Sequence, residues 1–213
     1  MKQYILGNGG FAQEVYDLIF LQQHSEVPFG GYITLNENIP YIISKEGIKQ
    51  FKYEDESSFV LGTGNKKWRK KFLDHFLYHY PKNKTHFPNI YATNTYMSSF
   101  KQEGYGNIYC PFTLVNGQTN IGNFNLFNAH SSIHHDCTIG DNNIICPYTG
   151  IMGYCSIGSD NFFGANSIIT PKIIIGNNNT ISAGECLFDD MNDKEFFQSG
   201  IIRSKKTDAE ASK

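Results

Sequence analysis

The sequence predicts an α/β domain of the βαβ kind followed by a parallel β-helix, and three observations carry that expectation. From Ile121 to Leu187 an apolar residue recurs every six positions without a miss. Ile-Gly pairs fall at 121–122, 139–140, 157–158 and 175–176, a second period of eighteen. The first hundred residues lack the repeat and alternate strand-like with helix-like segments. The expected division is 1–105 for the first domain, 106–188 for the repeat and 189–213 for a C-terminal tail, with Thr207 to Lys213 disordered.

Gln3-Tyr4-Ile5-Leu6 reads as a buried strand, and Gly7-Asn8-Gly9-Gly10 as a glycine loop. Phe11 to about Leu21 reads as a helix whose apolar face carries Val15, Leu18 and Ile19, with Phe11 and Leu21 at its margins. A strand over Phe29 to Thr34, a short helix opened by Ser44, and a strand at Ser58–Leu61 follow. A helix from Asn65 to about Phe76 and a last strand near His86 to Tyr91 complete a small, Rossmann-like parallel sheet.

The pattern Gly7-x-Gly9-x-x-Ala12 follows a strand and opens a helix, the context that makes a phosphate-binding loop credible. Free N–H groups and the helix dipole at such a terminus favour a phosphate or diphosphate. The plain alternative is a tight strand-to-helix turn without a ligand. A full dinucleotide site is not expected, because the domain is short and Ile33-Thr34-Leu35-Asn36 puts no carboxylate at the end of the second strand.

A period of six fits neither a helix at 3.6 nor a plain strand at 2. It fits a chain that turns a corner every six residues and closes a triangular coil every eighteen. The period-six residue points inward and stacks on its equivalent one coil away, at roughly 4.8 Å. Tyr109 and Val115 extend the run backwards more loosely. Two residues before each inward position the side chain is small or compact, as at Thr119, Asn125, Ser131, Cys137, Asn143, Thr149, Cys155, Asn161 and Ser167. Gly122, Gly140, Gly158 and Gly176 are expected at turns with unusual backbone angles.

Composition excludes several classes. A net charge of −2 leaves no basic footprint for nucleic acid. The one cationic cluster, Asn65-Lys66-Lys67-Trp68-Arg69-Lys70-Lys71, reads equally as a solvated helix face or as a contact for anions. No run of eighteen apolar residues spans a membrane, and the start is too poor in apolar residues for a signal peptide, so a cytoplasmic location is expected. Five cysteines without a C-x-x-C pair argue against a disulfide framework, and zinc spacing is absent, so no metal is expected. Cys137 and Cys155, eighteen apart, read as small residues stacked in successive coils.

The hexapeptide run resembles the left-handed parallel β-helix acyltransferases. That resemblance, not the spacing, implies the handedness, a homotrimer and acetyl-CoA lying between neighbouring β-helices. The opening Ile-Leu-Gly-Asn-Gly-Gly-Phe-Ala-Gln-Glu joined to such coils is similar to the sialic acid O-acetyltransferases and nucleotide-amino-sugar N-acetyltransferases, over roughly residues 2–188. The stretch from Leu61 to Lys71 also resembles the family's Gly-x-x-Asn-x-x-x-Arg. The resemblance implies that Gly7, Gly9, Gly10, Phe11, Thr34, Asn65 and Arg69 serve the sugar nucleotide. Three features depart from the family. Phe11 stands where many members have His, Thr34 to Asn36 stand where uridine-binding members often carry an acidic pair, and Ser199–Arg203 replaces the usual Gly-x-Pro-Ala end.

The repeat is poor in ionisable residues, so His130, His134, His135 and Asp136 stand out. His134-His135-Asp136, just before Cys137-Thr138-Ile139-Gly140, matches the family's His-Asp or His-Glu motif. By that resemblance His135 is the general base and Asp136 orients it. An imidazole titrating near neutrality can take the proton of an amine or hydroxyl attacking a thioester, and an adjacent carboxylate can set its tautomer. Gly153, one coil after His135 and equivalent to Gly117, is the expected oxyanion donor and cofactor contact. Ala165, Ala183 and Gly184 are small residues where relatives line the pantetheine groove.

The leading expectation is an acetyl-CoA-dependent N-acetyltransferase acting on a nucleotide-linked amino sugar, of the 4-amino-4,6-dideoxyhexose type. The alternatives are O-acetylation of a sialic acid or other sugar hydroxyl, and a β-helix scaffold without catalysis. A carbonic anhydrase on the same fold is disfavoured, since coils beyond Ile139 carry no histidine.

Overall fold

The computed structural model describes residues 1–22, 25–36, 39–44, 47–80, 82–83 and 85–204. The chain divides into two compact units, 1–93 with 105–108, and 94–104 with 109–213.

The first unit is built on a five-stranded sheet, with β1 (Lys2–Leu6), β2 (Phe29–Asn36), β3 (Ile39–Ser44), β4 (Gly47–Gln50) and β5 (Ser57–Leu61) in the order β4-β3-β2-β1-β5. The pairs β2–β1 and β1–β5 are parallel, as the βαβ pattern requires. The sheet is nevertheless mixed, because β2–β3 and β3–β4 are antiparallel. The short helix expected at Ser44 is therefore strand: Ile43 faces Ile48 and Ser44 faces Gly47 in a hairpin. The alternation of Ile and polar residues in this stretch satisfies an edge hairpin as well as it does a helical turn.

Helix α1 (Gly10–Tyr16) continues as a π-helical segment, Asp17–Gln22. The wider winding keeps Val15, Leu18 and Ile19 buried but leaves Leu21 exposed, off the expected apolar face. Helix α2 (Lys66–His79) starts at Asn65, whose Oδ1 accepts from the Trp68 amide at 3.2 Å, and buries Arg69, Phe72, Leu73 and Phe76. Aromatic rings dominate the core: Phe59 lies 4.7 Å from both Phe76 and Tyr80, and Tyr4 meets Phe51 edge-on at 5.1 Å.

The second unit is a β-solenoid of three parallel sheets made of two-residue strands. One sheet stacks Tyr96–Met97, Leu114–Val115, Ser132–Ile133, Gly150–Ile151, Ile168–Ile169 and Cys186–Leu187. A second stacks Gln102–Glu103, Asn120–Ile121, Thr138–Ile139, Ser156–Ile157 and Ile174–Ile175. The third includes Leu126–Phe127, Ile144–Ile145, Phe162–Phe163 and Thr180–Ile181. Successive coils pair at an offset of eighteen residues, as Ile133 with Ile151 and Ile151 with Ile169. The inward residues Val115, Phe127, Ile133, Ile145, Ile151, Phe163, Ile169 and Ile181 are completely buried.

The solenoid begins earlier than residue 106. Strands Tyr96–Met97 and Gln102–Glu103 already pair in it, although Glu103 breaks the apolar repeat. Glu103 keeps its inward place because Lys101 Nζ and Tyr109 Oη each donate to its carboxylate at 2.8 Å. Part of the expected tail also folds: Glu195–Gln198 pairs with Thr180–Ile181 and turns back on Ile201–Ser204. Thr207 to Lys213 lie outside the described residues.

The small inner column works by hydrogen bonding as well as by size. Asn125, Asn143 and Asn161 each donate Nδ2 to a glycine carbonyl of the next corner, at 2.9 Å, while Oδ1 accepts the backbone N–H of the asparagine one coil later. Thr119 and Thr149 bond backbone carbonyls through their hydroxyls at 3.1 and 3.0 Å. Cys137 and Cys155 donate to the carbonyls of Met152 and Thr170 at 3.1 and 3.2 Å, so they do the work of a threonine. The ladder stops at Asn179, where the repeat shortens to sixteen residues and Nδ2 is left without a partner among the described residues.

The corners differ from expectation. The left-handed backbone falls on Phe112, Gln118, His130, Asp136, Tyr148, Tyr154, Lys172 and their six-residue equivalents, with φ near +60°. Pro111, Pro147 and Pro171 precede such residues, and Thr149 N donates to Cys146 O at 3.3 Å, the sequence preference and hydrogen bond of a type II turn. Gly122, Gly140 and Gly158 do not have positive φ. They are small because a Cβ there would lie 2.6–2.8 Å from the backbone of the glycine one coil on.

Candidate functional site

Two sites are assembled, one in each unit. In the first, Gly7, Gly9, Gly10, Phe11, Thr34 and Asn65, six of the seven residues expected to serve a sugar nucleotide, line one cavity of about 440 Å³. Gly7 has φ +120°, and a Cβ on it would meet the Gly62 carbonyl at 2.8 Å, so it permits both the turn and the close approach of β1 to β5. Gly62 in turn lets Ala12 of α1 come within 3.0 Å of where its Cβ would be. Gly9 and Gly10 have no such duty: a Cβ on either meets nothing within 4 Å, and neither has positive φ. Their missing side chains leave the backbone open to the cavity. The N–H groups of Gly9, Gly10 and Phe11 have no hydrogen-bond partner among the described residues.

Arg69 does not join this wall. It is completely buried, and its Nη1 donates to the Thr63 carbonyl at 3.1 Å, so it braces the Gly62–Asn65 loop from behind. Asn65 lines the cavity but commits its side chain to capping α2. Strand β2 runs to Asn36, two residues past the expected end, so the next residue in sequence is Glu37, which lies outside the described residues. Sequence reasoning missed two aromatic wall residues, Trp68 and Phe72. Their spacing of four reads as one apolar helix face and does not mark a cavity.

In the second unit the chemistry gathers at the corner formed by residues 117–118, 135–136, 153–154 and 171–172. Asp136 adopts φ +59°, which an aspartate tolerates better than most residues. That backbone turns its carboxylate back onto its neighbour, and Oδ2 lies 2.8 Å from His135 Nδ1. With Nδ1–H donated to the carboxylate, Nε2 is the free lone pair. The imidazole lies over Gly153: a Cβ there would be 3.0 Å from Cε1 and 3.1 Å from Nε2. Tyr154 holds the ring from another side, edge to face at 5.1 Å and 88°. His135 remains about half exposed, and Asp136 somewhat less.

The corner is tied between coils by Asp136 N to Gly117 O, Tyr154 N to His135 O and Lys172 N to Gly153 O, at 3.0–3.1 Å. The N–H of Gly153 takes no part in this ladder and has no partner among the described residues. Equivalent positions at Pro147 and Pro171 have no N–H at all, so the fold does not need this donor. Beneath the corner, hydrogen bonding to Cys155 and burial push the Cys137 thiol well up, which keeps it protonated.

The neighbouring histidines make other contacts. His130 sits at a different corner, stacked between Phe112 and Tyr148 at 4.7 Å from each. His134 spends its backbone on the Ile151 carbonyl and the Thr119 hydroxyl. Ala165, Ala183 and Gly184 also lie at the His130 corner, where Gly184 N donates to Ala165 O at 2.8 Å. Within one chain the structure does not bring these three to His135. Among the described residues, no group of three or more His, Cys, Asp or Glu could hold a metal ion, and no helix is long and apolar enough to cross a membrane.

Comparison with known proteins fits this arrangement. Residues 2–76 match the PglD N-terminal domain, and residues 118–153 match the bacterial transferase hexapeptide, six repeats. No curated protein sequence matches the chain. Among solved structures, WeeI from Acinetobacter baumannii AYE is similar at TM-score 0.76 and 22% identity, over 95% of this chain and 99% of that one. The acetyltransferase domain of PglB from Neisseria gonorrhoeae FA1090, in complex with acetyl coenzyme A, is similar at TM-score 0.75 and 17% identity, over 96% and 98%. PerB from Caulobacter crescentus, in complex with CoA and GDP-perosamine, is similar at TM-score 0.75 and 16% identity, over 96% and 98%. At these identities the likeness is one of fold.

Proposed function

We propose that the chain, whose residues 2–76 match the PglD N-terminal domain and 118–153 the bacterial transferase hexapeptide, is an acetyl-CoA-dependent N-acetyltransferase of a nucleotide-linked amino sugar. The observation that carries the reading is the His135 corner. An imidazole paired with a carboxylate through Nδ1 lies against a glycine whose backbone N–H is unused, the groups that acyl transfer by direct attack requires.

In this reading His135 Nε2 takes a proton from the sugar amine as its nitrogen attacks the thioester carbonyl. Asp136 holds the imidazole and stabilises the imidazolium that forms. The Gly153 N–H donates to the oxyanion of the tetrahedral intermediate, which collapses to the amide and releases coenzyme A as its thiol. No cysteine acts as a nucleophile in this reading: Cys137 and Cys155, nearest the corner, are buried and donate to the Met152 and Thr170 carbonyls. The nucleotide of the acceptor occupies the cavity of the first unit, its diphosphate on the amides of Gly9, Gly10 and Phe11. A 4-amino-4,6-dideoxyhexose is the proposed sugar; PerB, of similar fold, was solved with GDP-perosamine.

The separation of Ala165, Ala183 and Gly184 from His135 supports a homotrimer in which one copy supplies the base and its neighbour the pantetheine groove. Mixing His135→Ala with Ala183→Trp tests this: two inactive proteins should regain partial activity when refolded together. The acceptor is tested by thiol release from acetyl-CoA with UDP-, dTDP- and GDP-linked amino sugars against free sialic acids. Turnover of free sugars alone would replace this reading with the O-acetyltransferase one.

A further inference from the structure

We infer that Trp68 is the stacking platform for the nucleobase of the bound nucleotide, an inference that rests on the sugar-nucleotide reading of the N-terminal cavity. Four observations converge on it. Helix α2 buries Arg69, Phe72, Leu73 and Phe76, and Trp68 is not among them. The residue stays 40% exposed, although it carries the largest apolar side chain in the unit and lies on an amphipathic helix. It nonetheless forms part of the cavity wall that also contains the glycine loop, Phe11 and Phe72.

The fourth observation is Lys71, whose Nζ sits 4.9 Å from the indole centroid over one face. Trp68 lines the cavity and Lys71 does not, so the cation holds the indole from outside the cavity wall. The cation fixes the ring orientation. Phe72, tilted 37° to the indole at 6.1 Å, packs beside it in the same wall. The indole is therefore held in place without being buried, which is the condition for stacking a flat heterocycle. With the diphosphate on the Gly9–Phe11 amides, a nucleoside diphosphate presents its base to an aromatic wall of the same cavity. Its volume, about 440 Å³, lies within the range of small-molecule sites.

Stacking on an aromatic side chain contributes about 1–3 kcal/mol per base and tolerates any base. That predicts a loss of roughly 10-fold or more in nucleotide affinity when the ring is removed. Trp68 is the sole tryptophan of the chain, so its fluorescence reports on this contact alone. Titrating the full-length protein with UDP, dTDP and GDP should quench that emission saturably, while inorganic pyrophosphate, which reaches only the amides, should not. In calorimetry Trp68→Phe should bind within about threefold of the parent, and both Trp68→Ala and Trp68→Leu should lose about tenfold. Circular dichroism melts confirm that each variant is folded; the exposed position makes this the expected result. Equal affinity in the parent and in folded Trp68→Leu, or equal quenching by pyrophosphate, overturns the platform while leaving the nucleotide site intact. Absence of binding by every nucleotide to the parent overturns the sugar-nucleotide reading and this inference with it.

Discussion

In the solenoid, Asn143 occupies a niche that Asn125 fills one coil earlier and Asn161 one coil later, each bonded to the same kind of backbone group. In the N-terminal unit, Tyr4, Phe51, Phe59, Phe76 and Tyr80 pack at angles from 15° to 83°, and no contact is repeated. The contrast shows where function can be read. A repeat fixes what each position owes to the fold, so a residue that owes it nothing is visible. Gly153 has an N–H where Pro147 and Pro171 have none, and His135 projects from a corner that needs only a turn. In the irregular unit each residue has its own neighbours, and a functional residue has no equivalent to be measured against.

The largest expected effect follows from that separation of duties. His135→Ala should lower kcat/KM by about 10²–10⁴-fold, the usual worth of a general base. The ring is about half exposed and, among the described residues, makes no hydrogen bond to a neighbouring coil, so the thermal midpoint should move little. A drop in stability alongside activity would show that the corner residue serves the fold after all.

The inner column should behave in the opposite way. Asn143→Leu keeps the volume but leaves the Asn161 N–H and the Gly158 carbonyl unpaired in the interior. At about 1–3 kcal/mol for each buried unsatisfied group, urea titration should show a loss of several kcal/mol. Activity per folded molecule should stay near that of the parent. Asn8→Leu at the exposed glycine loop makes the same chemical change with less than about 0.5 kcal/mol of cost.

How much of the molecule is legible in its sequence follows the same divide. The inward column from Ile121 to Leu187, the stacked cysteines and the His135 corner are readable, because a period states the neighbour of every residue. The repeat's start at Tyr96 is hidden by Glu103, whose inward place depends on Lys101 and Tyr109 and on pairing with a strand eighteen residues away. The glycine loop is readable from its spacing, yet the ring that walls its cavity is not. Trp68 faces the cavity because α2 packs on Phe72 and Phe76, a tertiary fact that no local pattern states. Arg69 is hidden for the same reason: a charge on a helix reads as solvent-facing, and its partner, the Thr63 carbonyl, is a backbone atom. The corner glycines read as left-handed turns, whereas close stacking of coils selects them.

Two glycine substitutions sharpen the comparison with smaller effects. Gly153→Ala puts a methyl 3.0–3.1 Å from the His135 ring, near the limit of real contacts, so the imidazole must shift by a few tenths of an ångström. Misplacement of about 1 Å can cost about 10²-fold, and a smaller shift should lower kcat by roughly tenfold with little change in stability. Gly9→Ala meets nothing within 4 Å and needs no positive φ. Gly9 is the N-cap of α1, where alanine is poorer than glycine, so the gain from restricting the unfolded chain is offset and stability should move by less than about 0.5 kcal/mol. The same methyl would stand where a diphosphate approaches the backbone, so KM for the sugar nucleotide should rise several-fold while KM for acetyl-CoA stays constant. A folded Gly9→Ala variant with unchanged KM for both substrates would mean that the open glycine loop serves the turn alone. The contrast between the corner glycines, which answer to packing, and Gly9, which answers to a ligand, would then fail.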